Sequence, residues 1–360
     1  MYTFYPGPSK IYPQLKEIFC EVFDSGILEK NHRSSAFEQL LQETKILMKQ
    51  KLNIPNEFEI YFTSSATECW EIAIQSLFHG KIQFLYNGAF GKKWFKYAVT
   101  NPDAPADKNY PRNISIRGTR FFLDQTISEV DISSENQLIC LTQNETSNGS
   151  KIDNDELRKI DKNTLKFIDA TSSLGGADLS IADGDLWLAS VQKCLGMPSG
   201  MGLMIVSPKA LATAQMLNER DHYNSLLFIK ENFDKNQTPY TPSILHIALL
   251  HGLLKQIDGI DQISKRITNR AEIIYNYFTN RDFINPLIAN KAARSETVVC
   301  LETEEKLLQS LKQNAEKKGI ILGNGYGEWK NNTFRIANFP AITDNDFDQL
   351  FDFFDQYQWN

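Results

Sequence analysis

Six short apolar runs, at residues 58–62, 82–86, 138–141, 165–168, 185–190 and 202–206, recur through the first two thirds of the chain with helix-like stretches between them. They are nearly uninterrupted, as expected of strands buried on both faces rather than alternating in and out. Between them the apolar positions change to helical spacing, as at Trp70, Ala73, Ile74 and Leu77. Such alternation predicts an α/β fold, a mostly parallel sheet with helices on both faces and ligands at the carboxyl ends of its strands. After about residue 255 the pattern changes. An amphipathic helix over 262–278 is followed by strands at 296–301 and 333–337 with a polar helix between them, and Phe347, Leu350, Phe351 and Phe354 then share one helical face. The expected division is a large domain of residues 14–254 and a small α+β domain of 1–13 and 255–360.

With 360 residues, 42% of them hydrophobic, the chain can bury two such cores. A net charge of −6 without any basic run argues against nucleic acid as a partner. No stretch stays apolar for the roughly 18–20 residues a membrane helix needs. The longest candidate, 244–254, is interrupted by His246 and His251. The start, Met1-Tyr2-Thr3-Phe4-Tyr5-Pro6-Gly7-Pro8, lacks the basic and apolar regions of a signal peptide. Five scattered cysteines (20, 69, 140, 194 and 300) with no Cys-x-x-Cys pair read as thiols of a reducing cytoplasm, not as disulfides or metal ligands.

Two residues stand out chemically. Lys193 follows a strand-like run and is itself followed by Cys194-Leu195-Gly196-Met197-Pro198. Apolar neighbours desolvate an ammonium and lower its pKa, freeing the amine to attack a carbonyl and form a Schiff base. Asp169 ends the apolar run Leu165-Lys166-Phe167-Ile168 and is followed by Ala170-Thr171-Ser172-Ser173. A lysine for the aldehyde carbon and a carboxylate that keeps the pyridine nitrogen protonated are the two handles pyridoxal phosphate requires.

Other segments fall where such a cofactor makes contact, each with a plainer reading beside it. Ser64-Ser65-Ala66-Thr67 leaves a strand and enters the Trp70 helix, so its amides and the hydroxyls of Ser65 and Thr67 suit a phosphate. The same residues also read as ordinary helix capping, with Glu68 completing a capping box. Phe90, after the 82–86 strand, suits a ring stack or a core position. Thr146, in Asn144-Glu145-Thr146, suits the ring's phenolic oxygen, and Gln192 the phosphate.

Several further motifs share this order: Pro6-Gly7-Pro8, His32-Arg33-Ser34 with Phe37, Gln237-Thr238-Pro239 and Phe334-Arg335. Together they resemble the class V aminotransferases of the fold-type I pyridoxal phosphate enzymes, over nearly the whole chain and most closely the phosphoserine branch. The resemblance implies a large domain with a sheet of the seven-stranded type. It implies that Lys193 links the cofactor, Asp169 pairs with its ring nitrogen, Phe90 takes the place of a stacking Trp, and Thr146 lies near the phenolic oxygen. Ser65, Ala66, Thr67 and Gln192 would surround the phosphate. Thr238 would reach the partner subunit's phosphate, which makes the expected assembly a homodimer with sites at the interface.

The implied reaction moves the amino group of 3-phosphoserine to 2-oxoglutarate, in L-serine biosynthesis. Arg335 is the expected α-carboxylate ligand, since a guanidinium grips a planar carboxylate with two bonds. Three departures bear on the donor. Thr67 stands where the phosphoserine branch often has Arg, Gly323-Asn324-Gly325-Tyr326-Gly327 replaces a frequent His-Arg pair, and Gln237 replaces Asn. His32 and Arg33 then remain as candidates for the substrate phosphate, or else form a solvated, salt-bridged loop. The alternatives are a class V aminotransferase of the alanine/serine–glyoxylate or pyruvate type, and, less favoured, a lyase of the cysteine desulfurase type. The latter needs a Cys on a mobile loop, whereas Cys300 lies in a strand-like run.

Overall fold

The computed structural model describes residues 1–100, 114–279 and 281–358. The chain opens with β1 (Tyr2–Phe4), α1 (Leu15–Asp24) and α2 (Ser35–Lys51). It continues through β2 (Glu59–Thr63), α3 (Ala66–Leu77), β3 (Lys81–Tyr86), α4 (Ala89–Thr100), β4 (Ser115–Arg120) and β5 (Leu138–Thr142). A small hairpin, β6 (Asn144–Glu145) and β7 (Ser150–Lys151), precedes α5 (Asn154–Lys159), β8 (Leu165–Asp169), β9 (Leu186–Ser190) and β10 (Gly202–Val206). Helices α6 (Pro208–Leu217), α7 (Leu226–Phe233), α8 (Ile244–Gln256) and α9 (Ile260–Thr279) follow. The last part holds β11 (Asn285–Pro286), β12 (Val298–Glu302), α10 (Glu305–Lys317), β13 (Ile320–Asn324), β14 (Thr333–Ala337) and α11 (Asp344–Gln356).

Seven strands form the large sheet in the order β2-β10-β9-β8-β5-β3-β4. Strands β9, β8, β5, β3 and β4 run parallel, and β10 lies antiparallel to both β9 and β2. Because β10 reverses direction twice over, β2 again points the same way as β9. The carboxyl ends of β2, β3, β5, β8 and β9 therefore share one edge. Every residue of β5, β8, β9 and β10 is buried, which explains their unbroken apolar sequences.

The second sheet has the order β1-β13-β14-β12-β11, with β1 parallel to β13 and the other pairs antiparallel. Its core is aromatic: Phe334 stacks on Phe354 at 6.0 Å, and Phe278 meets the edges of both. Helix α9 serves two cores, with Ile260, Ile263 and Ile267 against the large sheet and Ala271, Ile274 and Phe278 against the small one. Two local expectations shift. On α11 it is Phe353 that is buried and Phe351 that is half-buried, because the helix presents a stripe one position wider than a single face. The strand expected from 296 begins at Val298, since the Ser295 hydroxyl takes the amides of Thr297 and Val298 and holds a turn there.

Candidate active site

Loops from the shared strand edge, together with the amino-terminal segment and β14, enclose a cavity of about 270 Å³. Lys193 reaches it from the turn after β9, Asp169 from the end of β8, Ala66 and Thr67 from the start of α3, and Phe90 from α4. Thr146, Gln192 and Arg335 also line it. Of the twelve residues singled out from sequence, eight are in this lining: Lys193, Asp169, Ala66, Thr67, Phe90, Thr146, Gln192 and Arg335.

Lys193 is buried, and burial lowers its pKa to about 8, while Asp169 and Glu145 pull in the opposite direction. Its Nζ donates to Thr146 Oγ1 at 2.9 Å and lies 5.2 Å from the Phe90 ring centre. Asp169 is buried too. Its Oδ1 accepts the Thr171 amide at 2.8 Å and its Oδ2 accepts the Trp70 indole N–H at 3.0 Å. Burial raises its pKa, and the Thr171 contacts, the Lys193 charge and the Trp70 donor partly offset that.

Arg335 is brought in by strand alternation. Its neighbours Phe334 and Ile336 belong to the small core, so the residue between them points the other way. Nε donates to Asn324 O at 2.6 Å and Nη1 to Thr146 O at 2.8 Å, which fixes the plane of the guanidinium. Tyr326 covers it, 5.6 Å from ring centre to guanidinium, and also stacks on Phe90 at 5.2 Å. Phe90 is therefore a site wall rather than a core residue.

Glu145, within the Asn-Glu-Thr segment, explains how Phe90 is held. Its Oε2 accepts the amides of Phe90 and Gly91, both at 3.1 Å, and its Oε1 accepts the Ser147 amide and hydroxyl. A buried carboxylate thus caps the start of α4, where the helix dipole favours negative charge. The approach is so close that a Cβ on Gly88 would lie 2.2 Å from Glu145 Cγ. Gly7, at φ +154°, crosses the cavity in the same manner, and a Cβ there would stand 3.1 Å from Lys193 Cε. Sequence reasoning named no site role for Trp70, Glu145, Tyr326 or Ser190. Only Glu145 carried a signal, as the middle of a motif already noted.

The segment 64–67 shows features of both of its readings. Ala66 N donates to Ser190 Oγ at 3.0 Å, and Ala66 and Thr67 face the cavity. Ser65 does not line it. Its hydroxyl is the N-cap of α3 and accepts the Glu68 amide at 3.1 Å. The expected capping box is not closed on Ser65 either, because Glu68 Oε2 turns back to the amide and hydroxyl of Ser64 at 2.7 and 2.6 Å.

Three other candidates lie outside this lining. Thr238 is buried with its hydroxyl on Tyr240 O, and Arg33 is exposed with Nη1 3.5 Å from Gln237 Oε1. His32 is partly exposed on the same loop. Arg33 is brought to Gln237, next to Thr238, and none of the three lines the cavity of its own chain.

The cavity fits pyridoxal phosphate by its chemistry. Lys193 and Asp169 stand on it with an aromatic wall at Phe90, and a helix N-terminus opens onto it at Ala66 and Thr67. Among the described residues, the buried Gln192 Oε1 and Thr142 Oγ1 have no hydrogen-bond partner. Two such atoms in one cavity are what a polar ligand would satisfy. Among the described residues no three His, Cys, Asp or Glu gather to hold a metal, and no helix is long and apolar enough to cross a membrane. Cys300 is buried in β12 with its thiol pushed up to about 12, opposite to what a reactive cysteine needs.

Comparison with known proteins points the same way. The family model described as aminotransferase class-V matches residues 1–328. A phosphoserine aminotransferase of Rhodococcus opacus is 25% identical over 353 residues, covering 96% of this chain and 91% of its own. The crystal structure of a phosphoserine aminotransferase from Cytophaga hutchinsonii superposes with a TM-score of 0.88 at 28% identity, covering 98% of each chain. An aspartate aminotransferase from Thermus thermophilus shares the fold, with a TM-score of 0.80 at 18% identity over 98% of this chain and 97% of its own.

Proposed function

The chain belongs to the class V aminotransferases and is a pyridoxal-phosphate-dependent transaminase of fold type I, and from that premise we propose that it moves the amino group of 3-phosphoserine to 2-oxoglutarate. The relatives from Rhodococcus and Cytophaga carry that donor in their names, at 25% and 28% identity over nearly the full length. The observation that carries the residue assignment is convergence: Lys193, Asp169, Thr146 and Arg335 come from four separate segments onto one buried cavity.

When bound, pyridoxal phosphate supplies an electron sink that makes the α-proton of an amino acid removable. Lys193 Nζ is the proton carrier. With a pKa near 8 it has a usable fraction of free amine at neutral pH, and the Thr146 hydroxyl aims it. Asp169 presents a carboxylate to the ring nitrogen, and Phe90 walls one side of the cavity. Arg335, tied to two carbonyls, offers its remaining N–H groups to the α-carboxylate and orients the α-C–H bond. Ala66, Thr67 and Gln192 hold the phosphate, with Ser65 acting only through the helix it caps.

The assembly proposed is a homodimer. Thr238, His32 and Arg33 lie outside their own cavity, so any contact they make with cofactor or substrate phosphate is made in the partner's site. The domain division proposed is 14–254 against 1–13 with 255–360, and the setting is the cytoplasm, in serine biosynthesis. One observation favours a second reading, a class V enzyme acting on serine or alanine: the only side-chain cations in the described lining are Lys93, Lys193 and Arg335. The test is a half-reaction screen that follows loss of the cofactor's visible band with phosphoserine, glutamate, serine and alanine. Faster conversion by serine or alanine than by phosphoserine would give the second reading precedence.

A further inference from the structure

Trp70 lies one helical turn beyond Ala66, so α3 presents its N-terminus and this indole to the same cavity. Its N–H meets Asp169 Oδ2 at 3.0 Å, and both residues are buried. An indole N–H donates and cannot accept, and the Thr171 amide on Oδ1 is likewise only a donor. Both oxygens are therefore committed as acceptors, which favours the ionised carboxylate over the acid. The ring itself is clamped: it stacks on Trp94 at 5.9 Å with planes 10° apart and meets the edge of Tyr97 at 6.1 Å. Trp94 in turn abuts Phe84 of β3.

We propose that Trp70 is a positioning residue that keeps Asp169 ionised and aimed, so that the cofactor's ring nitrogen stays protonated. The inference rests on pyridoxal phosphate binding and goes beyond it in assigning control of the ring's protonation to this indole. Burial alone drives Asp169 toward its neutral acid, and a neutral acid leaves the ring nitrogen without its counter-charge. The indole opposes that drift through a bond whose geometry is fixed by packing.

Two variants test it. Trp70→Phe retains an aromatic ring but removes the donor. Benzothienylalanine, placed at position 70 by codon suppression, keeps the indole's shape and lacks only the N–H, so it separates the bond from the packing. The readouts are the cofactor dissociation constant and the NMR shift of bound pyridoxal phosphate isotopically labelled at its ring nitrogen. Wild type should retain the cofactor with a protonated ring nitrogen. Both variants should weaken retention by roughly tenfold or more and move the shift toward the unprotonated position. A wild-type shift and affinity in the benzothienylalanine protein overturns the proposal, even where Trp70→Phe lowers Tm. Failure of wild type itself to bind the cofactor would overturn the underlying reading as well.

Discussion

Replacing Arg335 by lysine keeps the positive charge and removes the fork. The native guanidinium has five N–H groups, of which Nε and one on Nη1 are taken by Asn324 O and Thr146 O. The others include the pair that can face a carboxylate side by side. A lysine ammonium has three donors, no fixed plane, and the same two carbonyls competing for it. At least one charge-assisted hydrogen bond to the substrate is lost, worth about 1.5–3 kcal/mol, or roughly 10- to 150-fold in kcat/KM. The amino donor and 2-oxoglutarate both carry an α-carboxylate, so the two half-reactions should fall by similar factors in single-turnover kinetics. Cofactor content and Tm of Arg335→Lys, measured alongside, report any disturbance of the Thr146 segment. Unchanged kcat/KM, or a loss confined to one half-reaction with cofactor retained, would refute the assignment of Arg335 to the α-carboxylate.

Three further outcomes are expected. Asp169→Ala should raise the dissociation constant for pyridoxal phosphate by roughly 10- to 100-fold in equilibrium dialysis, because a charge-assisted contact to the ring is gone. Arg33→Ala should lower kcat/KM for phosphoserine by roughly 10- to 150-fold and leave alanine turnover unchanged, since only the phosphorylated donor needs that cation. The rate at which cofactor-free protein takes up pyridoxal phosphate should rise with pH and level off above about 8, because below that value Lys193 is mostly the non-nucleophilic ammonium. A rate independent of pH between 6 and 9 (about three units spanning that value) would contradict a buried lysine with this pKa.

Six of the seven strands of the large sheet were legible because burial leaves nearly unbroken apolar runs, as in residues 138–141 and 202–206, whereas the edge strand β4 is largely exposed and mixes Ser, Arg, Gly and Thr with one Ile, so no run marks it. Lys193 and Asp169 were legible because a charged residue at the end of such a run has no packing reason to be there. Arg335 was legible for the same reason, a lone cation within an apolar strand. What stayed hidden were residues whose chemistry depends on a partner distant in sequence. Trp70 looks like one more core aromatic until Asp169, 99 positions later, is seen to accept its N–H. Tyr326 sits in a glycine-rich turn with no periodicity, and only folding brings it over Phe90 and Arg335. Ser65 was ambiguous for another reason: cap and phosphate ligand have the same local sequence, and it is the folded geometry that places its hydroxyl on the Glu68 amide.

The central claim is that this buried amine is the cofactor's point of attachment. Protein saturated with pyridoxal phosphate, reduced with borohydride and digested, should yield one phosphopyridoxyl-modified peptide with the adduct on Lys193, and Lys193→Ala should yield none and show no visible band. An adduct mapped to Lys93 or another lysine, or turnover in Lys193→Ala within about tenfold of wild type, would contradict the account.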